Sequence, residues 1–131
     1  MRLLLDTHAF LWAAAETERL SQKARSAIED AANEVYVSAV SAWEITIKYM
    51  LGKLPLPLQP AAYVPTRMDV LGFSELPIQQ EHAFMLCSLP QYHMDPFDRM
   101  LVAQAQAEGL TLVTADPTIL KYPCQLLDAR R

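Results

Sequence analysis

The chain has 131 residues, with 52% hydrophobic and 20% charged content and a formal net charge of −4. That length suits one domain with a sizeable core. The charge argues against a large basic DNA-binding face, and no apolar run reaches the roughly 18 residues a membrane span requires.

Residues 2–5 read as a short buried strand and Thr7 to Ala15 as a helix behind it. Arg2 before an apolar stretch imitates a signal peptide, but Asp6 and His8 interrupt it, so the expectation is a cytoplasmic protein. Ser21 is placed to cap a helix running to about Asn33. Val35 to Val37 is a second strand, after which Ser38 caps a helix that Gly52 ends. The segment from Leu54 to Pro60 alternates with proline and reads as an extended connector. A helix around 61–71 ends at Gly72, and Phe73 to Ile78 forms a strand. Gln79 to Ser88 reads as helix, stopped by Pro90. Pro96 opens the next helix at its first position and Gly109 closes it. Leu110 to Thr114 is a strand, followed by one helical turn and a last strand near Gln125 to Leu127. Strands alternating with helices make an α/β fold with a mostly parallel sheet covered on both faces. Nothing divides the chain, so residues 1–131 are expected to form a single domain. Cys87 and Cys124 belong to no CxxC pair and read as buried free thiols.

Four acids fall where an acid is costly. Asp6 and Asp116 each end an apolar run. Glu44 shares a helical stripe with Val40, Ile47 and Leu51, and Asp98 shares one with Leu101, Val102 and Ala105. A carboxylate in such a place must be neutralised, paired or bound to metal. Open parallel sheets bind ligands beyond the C-terminal ends of their strands, where Asp6 and Asp116 sit and where the other two can converge. Hard cations such as Mg²⁺ or Mn²⁺ prefer carboxylate oxygen, and paired ions promote phosphodiester hydrolysis. The plainer reading of any one acid alone is a helix cap or a solvated strand end.

Asp95 and Asp98 can be separated. Asp95 precedes Pro96 and is placed as the N-cap, touching the site only indirectly, whereas Asp98 lies inside the first turn and faces the sheet. Ser38, Ser41 and Thr114 can orient a carboxylate, or simply cap. His8 and His93 can contact substrate or complete a hydrogen-bond network, although a solvated or core-satisfied ring is the commoner role; His82 reads as structural. Lys48, one turn after Glu44, can pair with it or steer a phosphate. Lys53, Arg67 and Arg99 are further phosphate candidates whose ordinary role is surface charge. There is no HExxH, GxGxxG or P-loop spacing.

Four segments together resemble the motifs of PIN-domain ribonucleases, and most closely the VapC-type toxins of type II toxin–antitoxin modules. They are Leu3-Leu4-Leu5-Asp6-Thr7-His8, Ser41-Ala42-Trp43-Glu44-Ile45, His93-Met94-Asp95-Pro96-Phe97-Asp98-Arg99 and Leu112-Val113-Thr114-Ala115-Asp116. The resemblance spans essentially the whole chain. It implies a PIN-like three-layer sandwich and RNA cleavage dependent on Mg²⁺ or Mn²⁺. It also implies a cognate VapB-type antitoxin, homodimerisation, and metal-site roles for Asp6, Glu44, Asp98 and Asp116. Pro117 after the fourth acid is a modest departure. Trp12, Trp43, Tyr49, Met50 and the 54–58 connector carry more apolar surface than a small core needs, so an apolar groove for the antitoxin is expected there, with core packing the plainer reading for Trp43. The rival readings are a DNA-directed or structure-specific nuclease, a phosphoaspartyl phosphatase, a receiver domain, and an interaction module with vestigial acids. The second acid near Asp6 that a phosphatase uses is missing, and a receiver's paired acids are not evident.

Overall fold

The computed structural model describes residues 1–93 and 95–131. The strands are β1 (Arg2–Leu5), β2 (Glu34–Ser38), β3 (Ser74–Leu76), β4 (Thr111–Thr114) and β5 (Leu126–Asp128). They form one sheet in the order β3-β2-β1-β4-β5, parallel at every pairing. The helices are α1 (Thr7–Ala15), α2 (Gln22–Glu29), α3 (Ala39–Met50), α4 (Pro60–Leu71), α5 (Gln80–Met85) and α6 (Pro96–Glu108).

Strand side chains alternate between the two faces, and here both faces are covered. Leu3, Leu5, Val35, Val37 and Val113 pack with Ala9, Phe10 and Ala24 from α1 and α2 and with Tyr63 and Val64 from α4. Leu4 and Leu112 pack on the other side with Leu101, Val102 and Ala105 of α6. Leu3, Leu4 and Leu5 are all inaccessible to solvent, which is why β1 reads as a continuous apolar run rather than an alternating one.

The chain leaves β1 toward β2 and β3, then returns to place β4 on the opposite side of β1. The strand order therefore reverses between β1 and β4, and the crevice beyond their C-terminal ends is where such sheets take ligands. Asp6 follows β1 directly and Asp116 follows β4 by two residues.

Caps account for most of the helix boundaries. Ser21 Oγ accepts from the Ala24 amide and Ser38 Oγ from the Val40 amide. Gly72 and Gly109 end α4 and α6 with φ of 74° and 66°, a left-handed turn that glycine makes without steric cost.

Several boundaries differ from expectation. α2 stops at Glu29 rather than near Asn33, because the Asp30 carboxylate accepts from the Ala32 amide and Asn33 Nδ2 donates to the Ala27 carbonyl. The helix expected over 79–88 is divided into α5 and a 3₁₀ turn at Leu86–Ser88. β3 occupies only the middle of its expected span, and β5 lies one residue later. α4 carries Pro65 in its interior despite the lost amide donor. Cys87 is exposed rather than buried, Cys124 is half-buried, and both are free thiols. Trp43 is 57% exposed rather than core, its ring meeting Phe97 edge-on at 4.9 Å. Among the described residues, no helix is long and apolar enough to cross a membrane.

Candidate active site

Asp6, Glu44, Asp98 and Asp116 all line one cleft of about 480 Å³, together with Thr7, His8, Trp12, Arg19, Lys48, His93 and Asp95. These four acids come from four separate places in the fold: the end of β1, the middle of α3, the first turn of α6 and the segment after β4.

Asp6 is the N-cap of α1. One carboxylate oxygen accepts from the Ala9 amide at 2.8 Å and the other from Thr114 Oγ1 at 2.6 Å. Only 4% of the residue is exposed. Burial holds its carboxyl above the usual carboxylate range, against the lowering effect of those two hydrogen bonds.

Glu44 is equally buried in the middle of α3. Its stripe differs from the expected one: Val40, Ser41, Glu44 and Ile45 are buried, whereas Ile47 is half-buried and Leu51 is exposed. Thr7 Oγ1 donates to Glu44 Oε1 at 2.6 Å and also lies 3.0 Å from Ser41 Oγ. Lys48 Nζ donates to Glu44 Oε2 at 2.6 Å. Burial alone would lower the Lys48 pKa, but its hydrogen bond and charge contact with Glu44 raise it, so Lys48 stays an ammonium. Glu44 thus has a dedicated cation.

Asp98 lies in the first turn of α6, above the buried Leu101, Val102 and Ala105. Burial and the charges of Asp95 and Glu44 push its carboxyl up to about 7, with His93 opposing. Asp116 behaves differently. Burial pushes it up, but the Thr118 amide, His93 and the Ile119 amide together hold it below the usual range. Asp95 caps α6, accepting from the Phe97 and Asp98 amides at 2.8 and 3.3 Å.

His93 stands between two of the acids. Its Nε2 lies 3.0 Å from Asp98 Oδ2 and 3.2 Å from Asp116 Oδ2. The Asp95 amide donates to Nδ1 at 3.2 Å. A backbone N–H can only donate, so in the neutral ring Nδ1 accepts and Nε2 carries the proton toward the carboxylates. Residue order alone offers His93 a substrate or network role beside the commoner solvated one; its place two residues before the helix cap, on the segment that delivers Asp98, is the signal that favours the former.

Oxygen donors dominate the cleft, and one donor atom each from His93, Asp98 and Asp116 lies within 4.8 Å of the others. A hard divalent cation fits this set, with the carboxylates as its natural ligands. Ligation through His93 Nε2 would require the ring to give up the Asp95 amide. A second group, Glu81, His82 and Glu108, is also close enough to converge. There, however, His82 is fully buried, accepts the Gln79 amide at Nδ1 and meets Glu108 at 2.9 Å through Nε2, so its ring is spent on structure.

Other expected residues lie elsewhere. Thr114 supports Asp6 directly, but Ser38 is outside the acid cleft: it caps α3 and donates to Gln104 Oε1 at 2.5 Å. Arg99 donates to the Pro90 and Leu86 carbonyls and the Tyr122 hydroxyl, and Arg67 donates to the Ala14 carbonyl. Both are structural clamps. Tyr49 and Met50 line a separate apolar groove of about 640 Å³ with Ala42, Val64 and Met68, between α3 and α4. Trp12 faces the acids instead.

The sequence matches the family described as PIN domain over residues 3–123. It is 31% identical over 115 residues to Ribonuclease VapC22 of Mycobacterium tuberculosis, covering 87% of this chain and 86% of that protein. It is 48% identical over 58 residues to Ribonuclease VapC16 of the same organism, an alignment covering 44% of this chain and 41% of that protein. The fold is similar to that of VapBC2 from Rickettsia felis bound to a promoter DNA fragment, with a TM-score of 0.74, 17% identity and 98% coverage of both chains. It is also similar to DNA-bound VapBC from Salmonella typhimurium, with a TM-score of 0.66, 16% identity and 98% coverage of both chains. The chain belongs to the PIN-domain family, among its VapC-type members.

Proposed function

We propose that this protein is a metal-dependent endoribonuclease, the toxin of a type II toxin–antitoxin module, acting through Asp6, Glu44, Asp98 and Asp116. The observation that carries the reading is the convergence of these carboxylates on one cleft, where burial together with the charges of Asp95 and Glu44 pushes Asp98 up to about 7. Such repulsion is costly to keep unless a cation relieves it. The ribonuclease names of the two relatives support RNA as the substrate.

Mg²⁺ or Mn²⁺ held by the carboxylates would supply Lewis-acid stabilisation of charge on a phosphodiester. The chain's own groups do the rest. Thr114 and Thr7 fix the orientation of Asp6 and Glu44. Lys48 holds positive charge beside Glu44 and lines the cleft that a phosphate would enter. His93 presents an N–H to Asp98 and Asp116. In this reading residues 1–131 act as one nuclease unit.

The cognate partner is a VapB-type antitoxin, a reading supported by the VapBC complexes that share the fold. The apolar groove between α3 and α4 suits an apolar segment of such a partner.

The deciding assay compares RNA and DNA of the same sequence with Mg²⁺, Mn²⁺ and chelator. RNA cleavage that needs metal and disappears in Asp6→Asn and Glu44→Gln is expected. Full cleavage in chelator or by either variant would remove the proposal, and preferential DNA cleavage would replace it with a DNA nuclease.

A further inference from the structure

One wall of the acid cleft, carried by α1 and Arg19, has a different chemistry from the carboxylates. Trp12, in the last turns of α1, is half-buried, packing on the core while also lining the cleft. The Arg19 guanidinium lies 4.9 Å from the centroid of its ring. The Arg19 side chain is 56% exposed and its guanidinium donates to Glu16 at 3.3 Å. His8, one turn earlier on α1, is exposed and tilted toward Trp12 with ring centroids 6.0 Å apart.

This arrangement bears on how a chain of net charge −4 holds a polyanion. Phosphate contacts supply most nucleic-acid affinity when cations are plentiful, but of the cations at this cleft Lys48 is already bonded to Glu44. Stacking of bases on aromatic rings and on guanidinium planes is the alternative source of affinity. A layered indole and guanidinium beside the acids provides that surface, and a base held in a duplex has no free face to offer it.

Building on the ribonuclease reading above, we propose that Trp12 and Arg19 form a subsite for a nucleobase of single-stranded RNA, next to the phosphodiester that the acids address. The base stacks on the guanidinium–indole layer, and the exposed Arg19 N–H groups face the adjoining phosphate. His8 closes the layer on the α1 side.

The test is binding of a short labelled single-stranded RNA at low salt in chelator, followed by fluorescence anisotropy. The same RNA is prepared with an abasic residue at each position in turn. One abasic position is expected to weaken wild-type binding at least about five-fold, the low end of a base–aromatic stack. Trp12→Leu and Arg19→Gln should each weaken binding of the intact RNA and become insensitive to that abasic position, while Trp12→Phe keeps the sensitivity. Arg19→Gln changes an exposed side chain, so it reports even if Trp12→Leu folds poorly. Equal binding of intact and abasic RNA by the wild type overturns the subsite, as does unchanged affinity in both variants. If metal-dependent RNA cleavage persists in that case, the ribonuclease reading survives; a wild type that neither binds nor cuts RNA loses both. Unchanged RNA affinity with weakened capture of the neighbouring gene's product assigns the wall to a protein partner and overturns the proposal.

Discussion

Thr114 Oγ1 donates a 2.6 Å hydrogen bond to Asp6 Oδ2, and the Asp6 amide donates to the Val113 carbonyl at 3.0 Å. The first acid of the cleft is therefore fastened to β4 through backbone and side chain together. A buried carboxylate that loses a donor pays its desolvation cost without compensation.

Thr114→Val keeps the shape and deletes the donor. It is expected to cost about 1–3 kcal/mol and to weaken metal binding, because Asp6 loses its fixed orientation. Thermal melting in chelator reads the first effect, and the metal concentration giving half the maximal melting shift reads the second. A variant matching the wild type in both would show that Asp6 is held adequately by its cap on α1.

The raised Asp98 pKa sets a pH dependence. Its folded value, about 7, lies above the ordinary 3.8, so between these values the folded state binds more protons than the unfolded chain. Stability of the metal-free protein then falls as pH rises through that window. Asp98→Asn abolishes this contribution. It should match the wild type near pH 4 and exceed it at pH 8 by on the order of 1–2 kcal/mol, a figure reduced for solvent screening. Saturating Mg²⁺ should shrink the wild type's slope, since bound cation replaces the proton. Parallel melting curves for the two proteins across pH 4–8 would contradict the crowding that underlies the site.

Much of this was legible from residue order. The continuous apolar β1, followed directly by Asp6, announces a strand covered on both faces of a parallel sheet, and Asp116, two residues past β4, puts a second acid at the same edge. Asp95 before Pro96 announces the cap. Other features depend on distances that sequence does not carry. His93 meets Asp116 only because the segment before α6 passes beside the end of β4. Leu51 falls outside the buried stripe because α3 ends at Met50, leaving Leu51 as its exposed C-cap. Trp43 and Trp12 look alike as sequence, yet one packs on Phe97 at the surface and the other lines the acid cleft.

Lys48 and Glu44 lead to a third prediction. The Glu44 side chain is 4% exposed and that of Lys48 38%, so removing the ammonium strands a buried carboxylate while the lysine itself stays partly solvated. Lys48→Met should destabilise the metal-free protein by about 1–3 kcal/mol, less than the loss for a fully buried pair. Bound metal would supply the missing positive charge, so the deficit should narrow as Mg²⁺ or Mn²⁺ is added. Melting with and without metal gives the comparison, and a deficit independent of metal would separate the Lys48–Glu44 pair from the cation site.

Asp95 and Asp98 are three residues apart and differently placed. The Asp95 carboxylate accepts from the Phe97 and Asp98 amides, two of the donors that the start of α6 leaves without partners. Asp98 makes no such capping bond; its carboxylate faces His93 and is crowded by Asp95, Glu44 and Asp6. Asparagine retains a capping oxygen, so Asp95→Asn should leave stability nearly unchanged, whereas Asp95→Ala should cost about 0.5–2 kcal/mol. Asp98→Asn should leave the helix start intact and abolish RNA cleavage, because the lost charge is the one a cation would meet. Asp95→Asn removes a repulsive neighbour of Asp98 and should therefore lower the pH at which metal begins to bind, while cleavage persists. Paired melting and cleavage measurements on the three variants check the assignment. Loss of cleavage in Asp95→Asn with activity retained in Asp98→Asn would reverse it.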